Sequence, residues 1–184
     1  MLRLSPAPPC PMTILYDTIE SPVGPLVVGA TAKGVCLLEF TGPHRFERQL
    51  ATLARSFGTE IVRGTTPLLA ALESQLDEYF AAQRKQFDLP LDYHGTPFQM
   101  KVWHTLLEIP YGETWSYRQV AAKVSPDEDA SRAVGTANGA NRVAIIIPCH
   151  RVVNANGALG GYGGGLDRKQ FLLDLERGQL RLDA

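Results

Sequence analysis

The sequence is short of cysteine, net charge and long apolar runs, and each shortage closes off a class of protein. Its 184 residues hold three cysteines, Cys10, Cys36 and Cys149. An odd number at wide, irregular spacing argues against a disulfide framework and against a cysteine-rich zinc module, so no metal is expected. No stretch approaches the roughly 20 apolar residues that cross a bilayer, and no membrane partner is expected. The net charge of −1 suits a protein wrapping long tracts of phosphate poorly. Dividing the chain does not change this: residues 1–94 carry 8 basic and 10 acidic side chains, residues 95–184 carry 10 and 9. Any contact with nucleic acid must use a few well-placed arginines and backbone amides. Residues 1–12 lack the basic start and continuous apolar stretch of a signal peptide and read as a flexible tail, with the cytoplasm as default location.

What is present reads as two regions. Residues 13–21 alternate and are β-branched, a turn follows at 22–25, and 26–31 and 35–40 flank Ala32-Lys33-Gly34 as a hairpin. Residues 44–57 place Phe46, Leu50, Leu53, Ala54 and Phe57 on one helical face, 59–63 is a short strand, and 67–82 a second amphipathic helix opening at Pro67. Residues 86–91 are expected to return to the sheet. This half reads as a small antiparallel sheet with helices packed on it. From Gly95 the chain turns helical. Thr96 and Pro97 open a helix over 98–109, Ser116 caps another over 117–124, and a third covers 130–140, the spacing of a helix-turn-helix. Residues 143–147, with three consecutive isoleucines, read as a buried extended segment ended by Pro148, which delivers Cys149 to a fixed place. The loop 154–165 holds six glycines, and 167–178 is a closing helix.

Cys36, in an apolar run, reads as a small core residue and Cys10 as inert. Cys149 is followed by His150 and Arg151. A free thiol has a pKa of about 8.5 and needs a base or cation to react at neutral pH. Neighbours in regular structure point apart, so only a sharp turn after Pro148 lets the imidazole reach the sulfur, directly or through water. A third group should orient the base, and Glu176 is one acidic candidate among several. From these residues alone, a core cysteine beside a surface His-Arg pair stays open.

Pro148-Cys149-His150-Arg151-Val152 after an aliphatic run resembles the active-site signature of the O6-alkylguanine-DNA alkyltransferases. Gly95–Gln99, Val102-Trp103, Ile109-Pro110 with Gly112, Ser116-Tyr117, Arg132–Gly135, Asn141, Gly161-Tyr162 and Leu172–Glu176 fall in that family's order, covering residues 95–178. The resemblance implies a mixed α+β fold: a tail (1–12), an RNase H-like α/β domain (13–92) and a mainly helical, winged helix-turn-helix-like catalytic and DNA-binding domain (93–184). It implies single-use repair of DNA, with the alkyl group of O6-alkylguanine, and O4-alkylthymine as a second candidate, passing to Cys149 without a cofactor. His150 would take the thiol proton through a water, oriented by Glu176, with Asn141 bracing the turn and Tyr117 pressing on the target phosphate and protonating the leaving guanine. Arg132 would fill the space of a nucleotide flipped out on the minor-groove side, and Ser116, Ala133 and Gly135 would lie against DNA. Small residues at 133, 135, 137 and 139 would let that helix lie close. Pro148, Val152, Tyr162, Gly163 and Gly164 would form the substrate pocket, with the backbone of Cys149 and Val152 holding the guanine amino group. The partner implied is double-stranded DNA containing O6-alkylguanine, bound by a monomer. The alternative is a non-catalytic protein that binds such lesions and flags them. This chain departs from the family pattern at Arg142 and Ala144, where prolines are usual, at Val124, where glycine is common, and in a longer acidic turn over 125–129. It also lacks the strand cysteines that bind zinc in some members.

Overall fold

The computed structural model describes residues 13–42, 46–127 and 130–180. The N-terminal tail with Cys10, together with His44, lies outside these residues, and the acidic turn is described only as far as Asp127.

The first half is built on a four-stranded sheet of order β3-β2-β1-β4, with β1 (Ile14–Ile19), β2 (Leu26–Ala30), β3 (Val35–Phe40) and β4 (Ile61–Arg63). The Ala32-Lys33-Gly34 turn forms as expected. Thr31 Oγ1 accepts from the backbone amides of Lys33 (3.0 Å) and Gly34 (3.3 Å). Gly34 has no room for a side chain, because a Cβ there would lie 2.7 Å from the carbonyl carbon of Leu91 and the carbonyl oxygen of Pro90. Ala30 pairs with Val35 but Gly29 with Leu37, so Cys36 is an extra residue in β3. This bulge turns Cys36 and Leu37 to the same side of the sheet. There they pack with Ile14, Val27 and Leu53 under α1 (Phe46–Phe57). Cys36 is thus the core residue expected.

One expectation is corrected here. The sheet is mixed, because β4 runs parallel to β1. The helix α1 carries the chain across before β4 begins, and such a crossover permits the parallel direction that a tight hairpin forbids. The helix α2 (Pro67–Phe80) starts as read, with Thr66 Oγ1 accepting from Leu69 N at 3.1 Å and Pro67 in the first turn. Residues 86–91 do not return as a strand. Only Leu91 bridges Val35, and Pro90, which has no N–H to give a ladder, ends the pairing.

The second half packs α3 (Pro97–Leu106), α4 (Tyr117–Val124) and α5 (Ser131–Gly139) against one another, with α6 (Leu166–Glu176) closing the chain. Thr96 with Gln99 and Ser116 with Gln119 form reciprocal capping boxes that fix where α3 and α4 begin. A two-residue pair, β5 (Trp115–Ser116) with β6 (Val152–Val153), ties the start of α4 to the segment after Cys149. The halves share a single core: Val28, Leu38, Leu72 and Tyr79 from the first meet Val102, Leu106, Ile145 and Leu172 from the second.

The isoleucine segment is not the extended strand expected. Val143 bridges Leu38 on the outer edge of β3, and the chain then coils, with Ile147 N on Val143 O (2.9 Å) and Ile145 at φ +69°. The side chain of Asn141 supplies what a ladder would have supplied. Its Nδ2 donates to Ile147 O (2.8 Å) and its Oδ1 accepts from Val143 N (3.0 Å), closing residues 141–147 into a loop. A left-handed conformation is costly for a β-branched residue, about 1–3 kcal/mol, and here the buried isoleucines hold it in place.

Candidate active site

Cys149 opens a short 3-10 turn (Cys149–Arg151) directly after Pro148 and is 5% exposed. It sits in the wall of a cavity of about 320 Å³ to which both halves contribute. Glu39 and Phe40 come from β3, Tyr117 from α4, and Gly135, Asn138 and Gly139 from α5. Asn141, Ala144 and the glycine loop Gly161–Gly164 complete it. The loop lies on β3, where a Cβ on Gly164 would meet the Phe40 ring at 2.5 Å, and Tyr162 packs edge-on against the same ring.

Burial pushes the Cys149 thiol up to about 11, partly offset by Asn141, Lys169 and Tyr162, while the Glu39 carboxylate adds to the rise. At neutral pH the sulfur therefore rests as a thiol and needs a base. Behind it lies a largely buried network. Glu176 Oε1 accepts from Tyr79 Oη (2.7 Å), His150 Nε2 (2.8 Å) and Arg151 Nη2 (2.9 Å). Its Oε2 accepts from Arg151 Nε (2.8 Å) and the Gly112 amide (3.0 Å). These donors and the adjacent cation hold the Glu176 carboxyl well below the usual range, although burial opposes the shift. A carboxylate on Nε2 assigns the imidazole proton to that nitrogen and leaves Nδ1 with its lone pair. Nδ1 is buried and has no hydrogen-bond partner among the described residues. Burial, then Arg151 and Lys169, lower the His150 pKa against the pull of Glu176, so the ring is neutral and able to accept a proton.

The structure thus brings together Cys149, His150, Glu176, Asn141, Tyr117, Tyr162, Gly163 and Gly164. The Tyr117 hydroxyl donates to Gly161 O at 3.4 Å, and its ring lies over Gly135, where a Cβ would make only an ordinary contact at 3.8 Å from Cε1. Arg132 and Ala133 are exposed on α5. Ala137, read as one of the small residues that let that helix lie close to DNA, is 2% exposed and packs inward, away from the exposed Arg132. Ser116 Oγ is committed to its cap, accepting from Gln119 N at 3.1 Å. Two expected pocket residues stand outside the wall. Val152 is fully buried, its carbonyl accepting from Lys169 Nζ at 2.6 Å, because the β5–β6 pairing turns it inward. Pro148 faces a second cavity, of about 590 Å³, lined also by Tyr111 and Arg151.

Sequence reading missed several members. Arg151 is 8% exposed and not a surface residue: besides Glu176 it holds Ile109 O through Nη1 at 2.7 Å. Its place directly after His150 was the available signal. Lys169 is fully buried within a polar stretch and bonds the carbonyls of Val152 and Leu159. Tyr79 looked like one more apolar residue of α2, and Asn138, which donates to Cys149 O at 3.3 Å, carried no signal.

Comparison with known proteins covers both halves. Residues 14–93 match the family model described as "6-O-methylguanine DNA methyltransferase, ribonuclease-like domain", and residues 97–178 the one described as "6-O-methylguanine DNA methyltransferase, DNA binding domain". The chain is 44% identical over 168 residues to a methylated-DNA–protein-cysteine methyltransferase of Methanosarcina barkeri, covering 90% of this chain and 99% of that one. It is 44% identical over 163 residues to the constitutive protein of that name from Bacillus subtilis, covering 88% and 94%. Among solved structures, the O6-methylguanine methyltransferase of Mycobacterium tuberculosis superposes with a TM-score of 0.76 at 40% identity, covering 92% and 96% of the two chains. A complex of the M. tuberculosis protein with DNA superposes with the same score at 39% identity, covering 93% and 96%.

Proposed function

Because the chain belongs to the 6-O-methylguanine DNA methyltransferase family, we propose that it repairs alkylated DNA directly, moving the O6-alkyl group of guanine to Cys149 once per molecule. The observation that carries the reading is the Cys149 thiol in a cavity wall, backed by a buried, neutral His150 whose outer nitrogen is tied to Glu176. An alkyl carbon on O6 is out of reach inside a duplex, so the nucleotide rotates out at a cost of a few kcal/mol. Arg132, exposed on α5, enters the stack and offsets part of that cost.

In the cavity the thiol proton passes through a water to His150 Nδ1, and Glu176 stabilises the imidazolium. The sulfur attacks the alkyl carbon, an S–C bond forms, and the C–O bond breaks with its electron pair going to guanine. Tyr117 supplies a proton to the departing base, while the Gly163 amide addresses O6 and the Cys149 carbonyl addresses the amino group. A thioether has no easy reversal, so the protein is consumed. All these groups lie in one chain, which supports action as a monomer on double-stranded DNA containing O6-alkylguanine. Mixing the protein with a duplex bearing one O6-methylguanine should add one methyl group to the Cys149 peptide by mass spectrometry, in one-to-one yield. Binding without a mass change would instead make it a lesion-flagging protein.

A further inference from the structure

The Glu176 carboxylate is held by more donors than its orientation requires. Arg151 grips both oxygens and the Gly112 amide adds a third anchor, which together fix the plane of the group. Yet α2, from the other half of the chain, delivers one further donor, the Tyr79 hydroxyl, to Oε1, the oxygen that His150 uses. Tyr79 is fully buried, and its ring is set by edge contacts with Phe80 and Tyr111 and a tilted contact with Phe87. From this we infer that Tyr79 is a positioning residue for alkyl transfer: by sharing Oε1 of Glu176, its phenol keeps His150 in the neutral form that can accept the thiol proton.

The argument is electrostatic. A carboxylate beside an imidazole in a dry interior favours imidazolium, and an imidazolium has no lone pair for the thiol proton. Every donor that draws charge from Oε1 weakens that pull. Among the described residues, the charged groups that act on His150 are Glu176 and Lys169 from α6 and Arg151 from its own turn, while Tyr79 from α2 and Tyr111 after α3 face the Glu176 carboxylate. The two cations oppose a further positive charge, Glu176 invites one, and Tyr79 trims that invitation. Burial first, and then Glu176, push the phenol's own ionisation well above the ordinary tyrosine range, so it donates throughout the working pH.

The inference rests on the functional reading above. It is tested by measuring single-turnover transfer against pH for the wild type and for Tyr79→Phe, which keeps the ring and removes the hydroxyl. Loss of the donor should raise the acid limb of the profile by about one pH unit, the scale of one hydrogen bond to a charged group. Transfer on the acid side should then fall about 10-fold, with the alkaline plateau and the affinity for lesion-bearing duplex unchanged. An unmoved limb, or an equal loss at every pH, overturns it. Should Tyr79→Phe lose its near-ultraviolet circular dichroism, 3-fluorotyrosine at position 79 decides. A more acidic phenol is a stronger donor, so the limb must move down, and an unmoved limb again overturns the inference. A wild type that transfers nothing sinks the functional reading instead, whereas transfer with an acid limb indifferent to residue 79 sinks this inference alone.

Discussion

The two halves of the chain divide their labour unevenly between sequence and space. The second half carries every motif: the Pro148–Val152 signature, the helix-turn-helix and the glycine loop. The first half carries none, and its sequence reads only as strands and helices. In space that contrast dissolves. The edge of β3 anchors the active-site segment through Leu38 and Val143, Phe40 supports the glycine loop, and Tyr79 reaches the carboxylate behind the histidine. A region without chemical motifs can still form a wall of the reacting cavity and set the electrostatics behind it.

This comparison can be broken or sharpened by substitution. The largest effect should come from Cys149→Ala, which should abolish transfer by mass spectrometry while leaving binding to lesion DNA intact in a gel-shift assay. Loss of both would show that the sulfur also holds the fold. Glu176→Gln should come next. It leaves the Arg151 guanidinium buried without its counter-charge, a loss of about 3–5 kcal/mol in urea denaturation, and slows transfer as well. From the first half, Phe40→Ala should cost about 3–5 kcal/mol and, unlike a remote core truncation, should also relax selectivity against bulky O6-alkyl groups in competition assays. Unchanged selectivity would reduce that half to scaffolding. Arg132→Ala should slow transfer from duplex by about 10-fold, the worth of roughly 1.4 kcal/mol, and leave transfer from the free alkylated base unchanged. The smallest effect belongs to Lys123→Ala, which removes an exposed 2.7 Å pair with Glu108 and should alter stability by less than about 1 kcal/mol.

What the sequence disclosed follows the range of the forces involved. The helix caps at Thr96 and Ser116, the hairpin at Lys33 and the amphipathic face of α2 are written within a few residues, and they were legible. The parallel direction of β4 depends on a crossover, and the coil of residues 143–147 depends on an asparagine side chain replacing a ladder. Neither leaves a local trace. The same holds for the site. Cys149, His150, Asn141 and Glu176 came from motif order, whereas Tyr79 and Lys169 became visible only when separate elements met. Arg151 stood in the signature itself, yet adjacency says nothing of burial. A guanidinium that serves two carboxylate oxygens and a carbonyl is recognised only once its partners are in place.

The buried Lys169 has a practical consequence. Acylating reagents should modify the exposed amines of Lys33, Lys85, Lys101 and Lys123 quickly and pass over Lys169, which is pinned beneath the Leu159 carbonyl. Its slow labelling should report only those openings that free the amine from the Val152 and Leu159 carbonyls, and a nucleotide seated in the cavity should slow it further.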